Sequence, residues 1–291
     1  MTRFRTTAVR LLAPLGVVVG CAVGFAPEAR VRAQQPPAPA APATPQAVGV
    51  IPGAPAGSPV QAPDTSNFDY ASLFHTMTPD DHAGFTQIFD GKTLTGWDGD
   101  PTVWRVENGS IVGESTPEKT VKENTFLIWR GERLRDFELT IDFRLGGTNS
   151  GIQIRSVELP NLGQWVLKGY QADMDVTNGF TGNIHEERGR NVLAPRGTVV
   201  RAVDGLSFKS LARIADPVSL RGVMNVGNWN RYHIIARGPM LLQILNGQLM
   251  AVLVDDDAAN RALEGVLGLQ MHVGPPFKIE YRNIWYRALQ P

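Results

Sequence analysis

The chain has 291 residues, 43% hydrophobic and 19% charged, and its 28 Lys and Arg balance 28 Asp and Glu to a formal net charge of zero. That is enough material for one large domain or two modest ones, without the clustered cations that a nucleic-acid partner demands. Thirty Gly and 21 Pro argue for many turns and against a helical bundle, and the single Cys21 excludes an internal disulfide and a thiolate metal cluster.

In chain order, Arg3, Arg5 and Arg10 precede an apolar run over residues 11–26, the layout of a signal peptide ending near residue 33. The run is too short for a comfortable membrane span of roughly 20 residues. Val18-Val19-Gly20-Cys21 resembles a lipobox, which would lipidate Cys21, whereas Val31-Arg32-Ala33 resembles an ordinary cleavage site. Ordinary cleavage is favoured, because Val is less usual than Leu at the first lipobox position; an uncleaved anchor is the third reading. Membrane contact is expected only through a lipidated Cys21. Residues 34–63 contain no Asp, Glu, Lys or Arg and are dominated by Pro and Ala. Such a segment has too little to bury to offset the entropy of ordering, so residues 34–67 read as a disordered linker. One domain is then expected over residues 68–291, with its core in residues 85–289.

Within that domain the dominant period is two. Phe137, Leu139, Ile141 and Phe143 alternate with Glu138, Thr140, Asp142 and Arg144, the pattern of a half-buried strand. Ile152 and Ile154 alternate with Gln153 and Arg155, and Tyr170, Ala172 and Met174 with Gln171, Asp173 and Asp175. Tyr232, Ile234 and Ala236 form a less clean series, and Phe277, Ile279 and Tyr281 close it. Asn246-Gly247 between two apolar runs is the strongest short hairpin signal. Residues 255–262 are expected to hold one short turn, and no segment has long helical periodicity. The expectation is an all-β jelly-roll sandwich of two antiparallel sheets.

Side chains at i and i+2 share a face, which pairs Gln153 with Arg155 and Gln171 with Asp173. Amides, carboxylates and a guanidinium in a row suit sugar hydroxyls, which both donate and accept. His185, Glu186, Glu187, Arg188 and Arg190 form a second polar group. Glu186 and Glu187 are adjacent, so on a strand they point to opposite faces and cannot both flank one scissile bond; only a loop would allow it. Glu138 and Asp142 read as a solvated face. The five histidines show no HxH or HExxH spacing. His272 shares a face with Gln270 if Leu269 and Met271 point inward. Trp165, in a Gly-flanked loop, is the one Trp considered as a sugar-stacking platform. Signatures of a Ser nucleophile elbow, a phosphate loop and a dinucleotide loop are missing.

The segments GFTQIFDGKTLTGW (residues 84–97), VWRVENGSIVGE (103–114), FELTIDFRL, NSGIQIRS, GYQADMD, HEERGRNVLA, NWNRYHIIARG, LLQILNG and GLQMHVGPPFKIEYRNIW occur in this order. Together they resemble the 3-keto-disaccharide hydrolase domain family across roughly residues 85–289. The resemblance implies a concanavalin-like or laminin-G-like jelly roll in an exported bacterial protein acting on a carbohydrate or 3-keto-sugar. The implied chemistry is abstraction of the C2 proton beside a C3 ketone, elimination at C1 and hydration. Asp173, Glu186 and Glu187 are the candidates for base or acid, with Arg155 or Arg190 at the enolate oxygen. Gln153, Gln171, Gln270, His272 and Trp165 would orient the sugar, and a divalent metal is another stabiliser of the oxyanion. One departure is that His185 stands where members commonly carry Tyr. Two further readings stay open: a silent, lectin-like carbohydrate-binding module, and an adhesion domain on a Pro/Ala stalk.

The charged start, apolar run and uncharged linker predict a mature protein outside the cytoplasmic membrane. Cell fractionation with N-terminal sequencing checks this; a cytosolic product beginning at Met1 refutes it, and an acylated Cys21 selects the lipoprotein branch.

Overall fold

The alternating segments become strands. In the computed structural model, residues 82–205 and 207–290 are described; the signal peptide, Cys21 and the linker lie outside them. The strands are β1 (Thr86–Gln87), β2 (Trp97–Asp98), β3 (Trp104–Glu107), β4 (Ser110–Glu114), β5 (Thr125–Leu134) and β6 (Phe137–Leu145). They continue as β7 (Asn149–Glu158), β8 (Leu167–Asp175), β9 (Ile184–Glu187), β10 (Asn191–Ala194), β11 (Thr198–Asp204) and β12 (Ser207–Arg213). A 3-10 turn at Ser219–Val223 precedes β13 (Asn230–Arg237), β14 (Met240–Leu245), β15 (Gln248–Asp255), β16 (Gly265–Met271) and β17 (Lys278–Ala288).

They form two sheets. The larger runs β12-β11-β15-β14-β13-β6-β17-β4-β3, with β1 also on β17; the smaller runs β10-β9-β8-β7-β16-β5-β2. Pairing is antiparallel except between β11 and β15, which are parallel. Phe137, Leu139, Ile141 and Phe143 on β6 pack in one core with Ile152, Ile154, Tyr170, Ala172 and Met174 of the smaller sheet. Full burial of each large apolar side chain contributes about 1.5–3 kcal/mol. The Asn246-Gly247 turn joins β14 to β15 with φ of 49° and 80°, as a two-residue hairpin requires. The expected turn after β15 is present, with the Asn260 and Arg261 amides donating to the Asp257 carbonyl.

Three polar ties cross the core and fix the smaller sheet on the larger. The Tyr232 hydroxyl donates to the Asp173 carbonyl at 2.6 Å, Gln243 Nε2 to the Gln171 carbonyl at 3.3 Å, and Ser150 Oγ lies 2.8 Å from the Tyr281 hydroxyl. Two of the three hold β8.

Three expectations need correction. Arg155 does not share the face of Gln153. The β7–β8 register shifts between Ile154 and Val157, and Arg155 has φ +48°, so alternation fails at this residue. Its guanidinium is buried and donates to the carbonyls of Arg135 and Gly238 and to Asp136, which tie it to the β5–β6 and β13–β14 turns. Glu186 also points inward. It accepts from Arg190 Nε at 2.7 Å, and Arg190 reaches Asp255 at 2.6 Å and Asp257 at 3.3 Å, on and just after β15 of the other sheet. The Tyr170 hydroxyl completes this buried cluster on Asp255. Arg190 is thus a bolt between the sheets, and no sugar-facing role follows for it. Finally, Glu138 and Asp142 are paired: Glu138 with Arg287 and His233, Asp142 with Arg231 and Asn283.

Removing one partner of a buried ion pair strands the others without water. Arg190→Met should therefore destabilise the fold by about 3–5 kcal/mol. Arg155→Met, which takes the guanidinium away from the carbonyls of Arg135 and Gly238 and from Asp136, should cost about 2–4 kcal/mol. Urea unfolding of the folded variants measures both, and unchanged midpoints would contradict the assignment of these arginines as locks.

Candidate functional site

The smaller sheet has a second face, opposite the core. On β8, Tyr170, Ala172 and Met174 enter the core, which turns Gln171, Asp173 and Asp175 the other way. On β9, Ile184 and Glu186 point inward, which leaves His185 and Glu187 on the same outward face. Cross-strand register puts Gln171 opposite both Gln153 and His185. One end of this face carries a small apolar cluster of Phe126, Ile128 and Leu167 with Trp165 and Val266. The rest carries amides and carboxylates.

These groups line a pocket of about 320 Å³ formed by Asn149, Gln171, Asp173, Phe180, His185, Glu187, Asn191, Val192 and His272. Gln171 Nε2 donates to Asp173 Oδ1 at 2.7 Å, and Gln153 Nε2 to Gln171 Oε1 at 3.3 Å, so a line of amides ends on the carboxylate. Gly151 makes room for that line, since a Cβ there would lie 2.3 Å from the Gln171 side chain. Asn124 reaches over from the loop before β5, donating to Glu187 Oε1 at 3.0 Å and accepting from the Val273 amide at 2.9 Å.

Burial sets the electrostatics. Asp173 is 5% exposed. Desolvation pushes its carboxyl up to about 7; the Gln171 amide opposes this, and the charges of Glu187 and Asp175 add to it. The neighbouring Asp175 goes the other way. Burial works against its charge, yet the Thr177 hydroxyl and the Phe180, Gly179 and Thr181 amides outweigh that and hold it below the usual carboxylate range. Asp175 thereby folds the β8–β9 loop, and that loop presents Phe180 at the pocket with 54% of its surface exposed. Burial lowers His185, against the opposing charges of Glu187 and Glu186, so its ring is neutral at pH 7.

The sequence-predicted residues therefore divide. Asp173, Gln171, His185, Glu187 and His272 meet in one pocket, with Gln153 buried behind Gln171. Gln270 is fully buried, and neither of its amide atoms has a hydrogen-bond partner among the described residues. Arg155 and Glu186 line a different cavity, of about 340 Å³, with Lys168 and Arg261. Trp165 lines a third. Sequence reasoning missed Asn124, Asn149, Asn191 and Phe180. For Phe180 there was a signal, a large aromatic inside the turn-forming run TNGFTGN. Among the described residues no group of three His, Cys, Asp or Glu side chains is placed to hold a metal ion, and no step is assigned to one.

Comparison with solved structures finds a candidate glycosyl hydrolase from Parabacteroides distasonis at 20% identity and a TM-score of 0.46, covering 70% of this chain and 99% of that one. It also finds the carbohydrate binding module CBM66 from Bacillus subtilis, at 15% identity and 0.43 over 66% and 96% of the two chains. The Bacillus licheniformis beta-glucanase follows at 8% identity and 0.43 over 71% and 97%. No curated protein matches the chain. The family profile of the 3-keto-alpha-glucoside-1,2-lyase-like domain matches residues 84–287. With that match across the whole sandwich, the chain belongs to the 3-keto-alpha-glucoside-1,2-lyase-like domain family, and its function is carbohydrate-related.

Proposed function

We propose that this protein is an exported enzyme that cleaves 3-keto-glycosides at C1 by elimination and hydration. The observation that carries the reading is Asp173, a carboxyl brought by burial to about 7 on the wall of an accessible pocket. A general base works best with a pKa near the working pH, and few surface carboxylates come close.

A ketone at C3 acidifies the C2 proton. Asp173 takes that proton; the C–H electron pair moves into C2–C3 and places negative charge on the C3 oxygen. Collapse of this enolate forms a C1=C2 double bond and breaks the bond from C1 to the departing oxygen, which takes up a proton. Water then adds across C1=C2, giving net hydrolysis. Gln171 occupies Asp173 Oδ1 and so leaves Oδ2 for the proton. Neutral His185 is assigned as the N–H donor at the C3 oxygen, in place of Arg155 or Arg190, which are held as locks between the sheets. His272, in the same pocket, is assigned as the donor of the proton that the departing oxygen takes up. Glu187 raises the basicity of Asp173 through its charge. Asn149 and Asn191 face the sugar hydroxyls, and Phe180 offers an exposed aromatic ring against the sugar.

Asp173→Asn should lower turnover of a 3-keto-glycoside by about 10²-fold or more, the usual scale for a lost general base. The wild-type rate should rise with pH through an apparent pKa near 7. Wild-type turnover in the variant would place the chemistry elsewhere, and a wild type that turns over no 3-keto-glycoside would favour a silent carbohydrate-binding module.

The same carboxyl has a stability signature of opposite sense. Between about pH 4 and about pH 7 the native chain keeps a proton on Asp173 that the unfolded chain has released. Native stability relative to Asp173→Asn therefore falls as pH rises through that window and levels off above it. Urea unfolding of both proteins at about pH 5 and about pH 8 reads the difference; a wild-type stability that does not drop relative to the variant between them would mean that Asp173 is not desolvated.

A further inference from the structure

The row of amides behind Asp173 does not end at Gln153. Ser156 Oγ donates to Gln153 Oε1 at 2.8 Å, Gln153 Nε2 to Gln171 Oε1 at 3.3 Å, and Gln171 Nε2 to Asp173 Oδ1 at 2.7 Å. All three bonds run in one sense, from a hydroxyl to a carboxylate. Ser156 and Gln153 are fully buried, and neither lines the pocket. The row therefore meets a ligand only at its Gln171–Asp173 end.

Two local features bring Ser156 to this place. It lies three positions after Gln153, and strict alternation would put it on the opposite face. The register shift between Ile154 and Val157, with Arg155 at φ +48°, absorbs one residue and turns Ser156 onto the Gln153 face. The bulge that sends Arg155 inward thus supplies the last donor of the row. Gly169 on β8 leaves the room, since a Cβ there would lie 2.2 Å from Ser156 Oγ. The Ile154 carbonyl, at 3.3 Å, is the more distant of the two acceptors that this hydroxyl has.

An amide row has a direction. Each Gln presents N–H at one end and C=O at the other, so one amide cannot reverse unless its neighbour reverses too. An ionised carboxylate only accepts, which demands the sense seen here. Hydrogen bonds in line also polarise one another. Charge on Asp173 therefore strengthens the bonds behind it, and the row stabilises the ionised form more than one amide alone would. The other titratable groups around Asp173 are Asp175 on its own strand, His185 and Glu187 on β9, His272 across the pocket, and Tyr232 of the larger sheet at its backbone carbonyl. Substitution at Ser156 or Gln153 removes none of them.

We propose that Ser156 and Gln153 are positioning residues of the reaction, acting through Gln171 to hold down the proton affinity of Asp173 from the far end of the row; this rests on the reading of Asp173 as the base. Carbon-13 NMR of the Asp173 carboxyl in the full chain, identified by its loss in Asp173→Asn, follows the titration without any turnover. Ser156→Ala should raise the proton affinity at least about twofold, and Gln153→Met, which cuts the row nearer the carboxyl, should raise it further. The pH profile of kcat should shift by the same amount with KM little changed, since neither side chain lines the pocket. In the wild type the Gln153 side-chain amide signal should titrate with the Asp173 midpoint, which decides the question if the variants do not fold. A lower urea midpoint with an unshifted Asp173 titration, or a Gln153 signal indifferent to that titration, would make the two residues merely structural and overturn the proposal. A wild-type rate in Asp173→Asn would instead sink the catalytic reading and leave the shifted titration standing.

Discussion

The middle of the smaller sheet is buried on both faces, and that constraint governs what its strands can do. An antiparallel sheet usually gives one face to the core and one to water. Here Gln153, Gln171 and Gln270 on the second face are no more than 2% exposed. Groups on that face cannot rely on solvent, so each must find a partner or bear a desolvation cost of about 1–3 kcal/mol. Gln153 and Gln171 solve this by bonding in line. Asp173 solves it in part, by favouring its neutral form. Neither amide atom of Gln270 has a hydrogen-bond partner among the described residues.

Strand β9 shows the same constraint from both sides. Glu186 and Glu187 are neighbours in sequence, yet one locks Arg190 into the inter-sheet cluster while the other faces the pocket. A single four-residue strand thus separates a structural acid from a site acid by the pleat alone. Arg190 meets three carboxylates, Glu186, Asp255 and Asp257, drawn from both sheets. The pocket wall is therefore clamped from behind by ionic contacts and through the core by Tyr232, which holds the Asp173 backbone.

Much of this was legible in the sequence, and the reasons for the rest are physical. Period two placed β6 and β8, whose apolar residues alternate, and, less cleanly, β13, where Ile235 breaks the alternation, and Asn246-Gly247 placed the β14–β15 hairpin. The opposite orientation of Glu186 and Glu187 followed from the pleat. Arg155 could not be read, because a bulge reverses its side chain and periodicity carries no mark of a left-handed residue. Nor could the neighbourhood of β7, β8 and β9, since register is a property of pairs of strands. The meeting of Asp173, His185 and Glu187 needed that register, and Asn124 needed the path of a loop that no local pattern encodes.

Gly151 shows how narrowly the row of amides is drawn. It owes its place to what it lacks: the space a Cβ would fill is taken by the Gln171 side chain, which lies across it toward Asp173. The shape of the backbone on β7 thus sets the proton affinity of a carboxyl on β8, through an amide that only an empty position lets lie flat. Any side chain at 151 would lift Gln171 away and remove the single hydrogen bond that stabilises the charged form of Asp173. A residue that bears no functional group is therefore a tuning element of the Asp173 carboxyl, and its chemical contribution is a void.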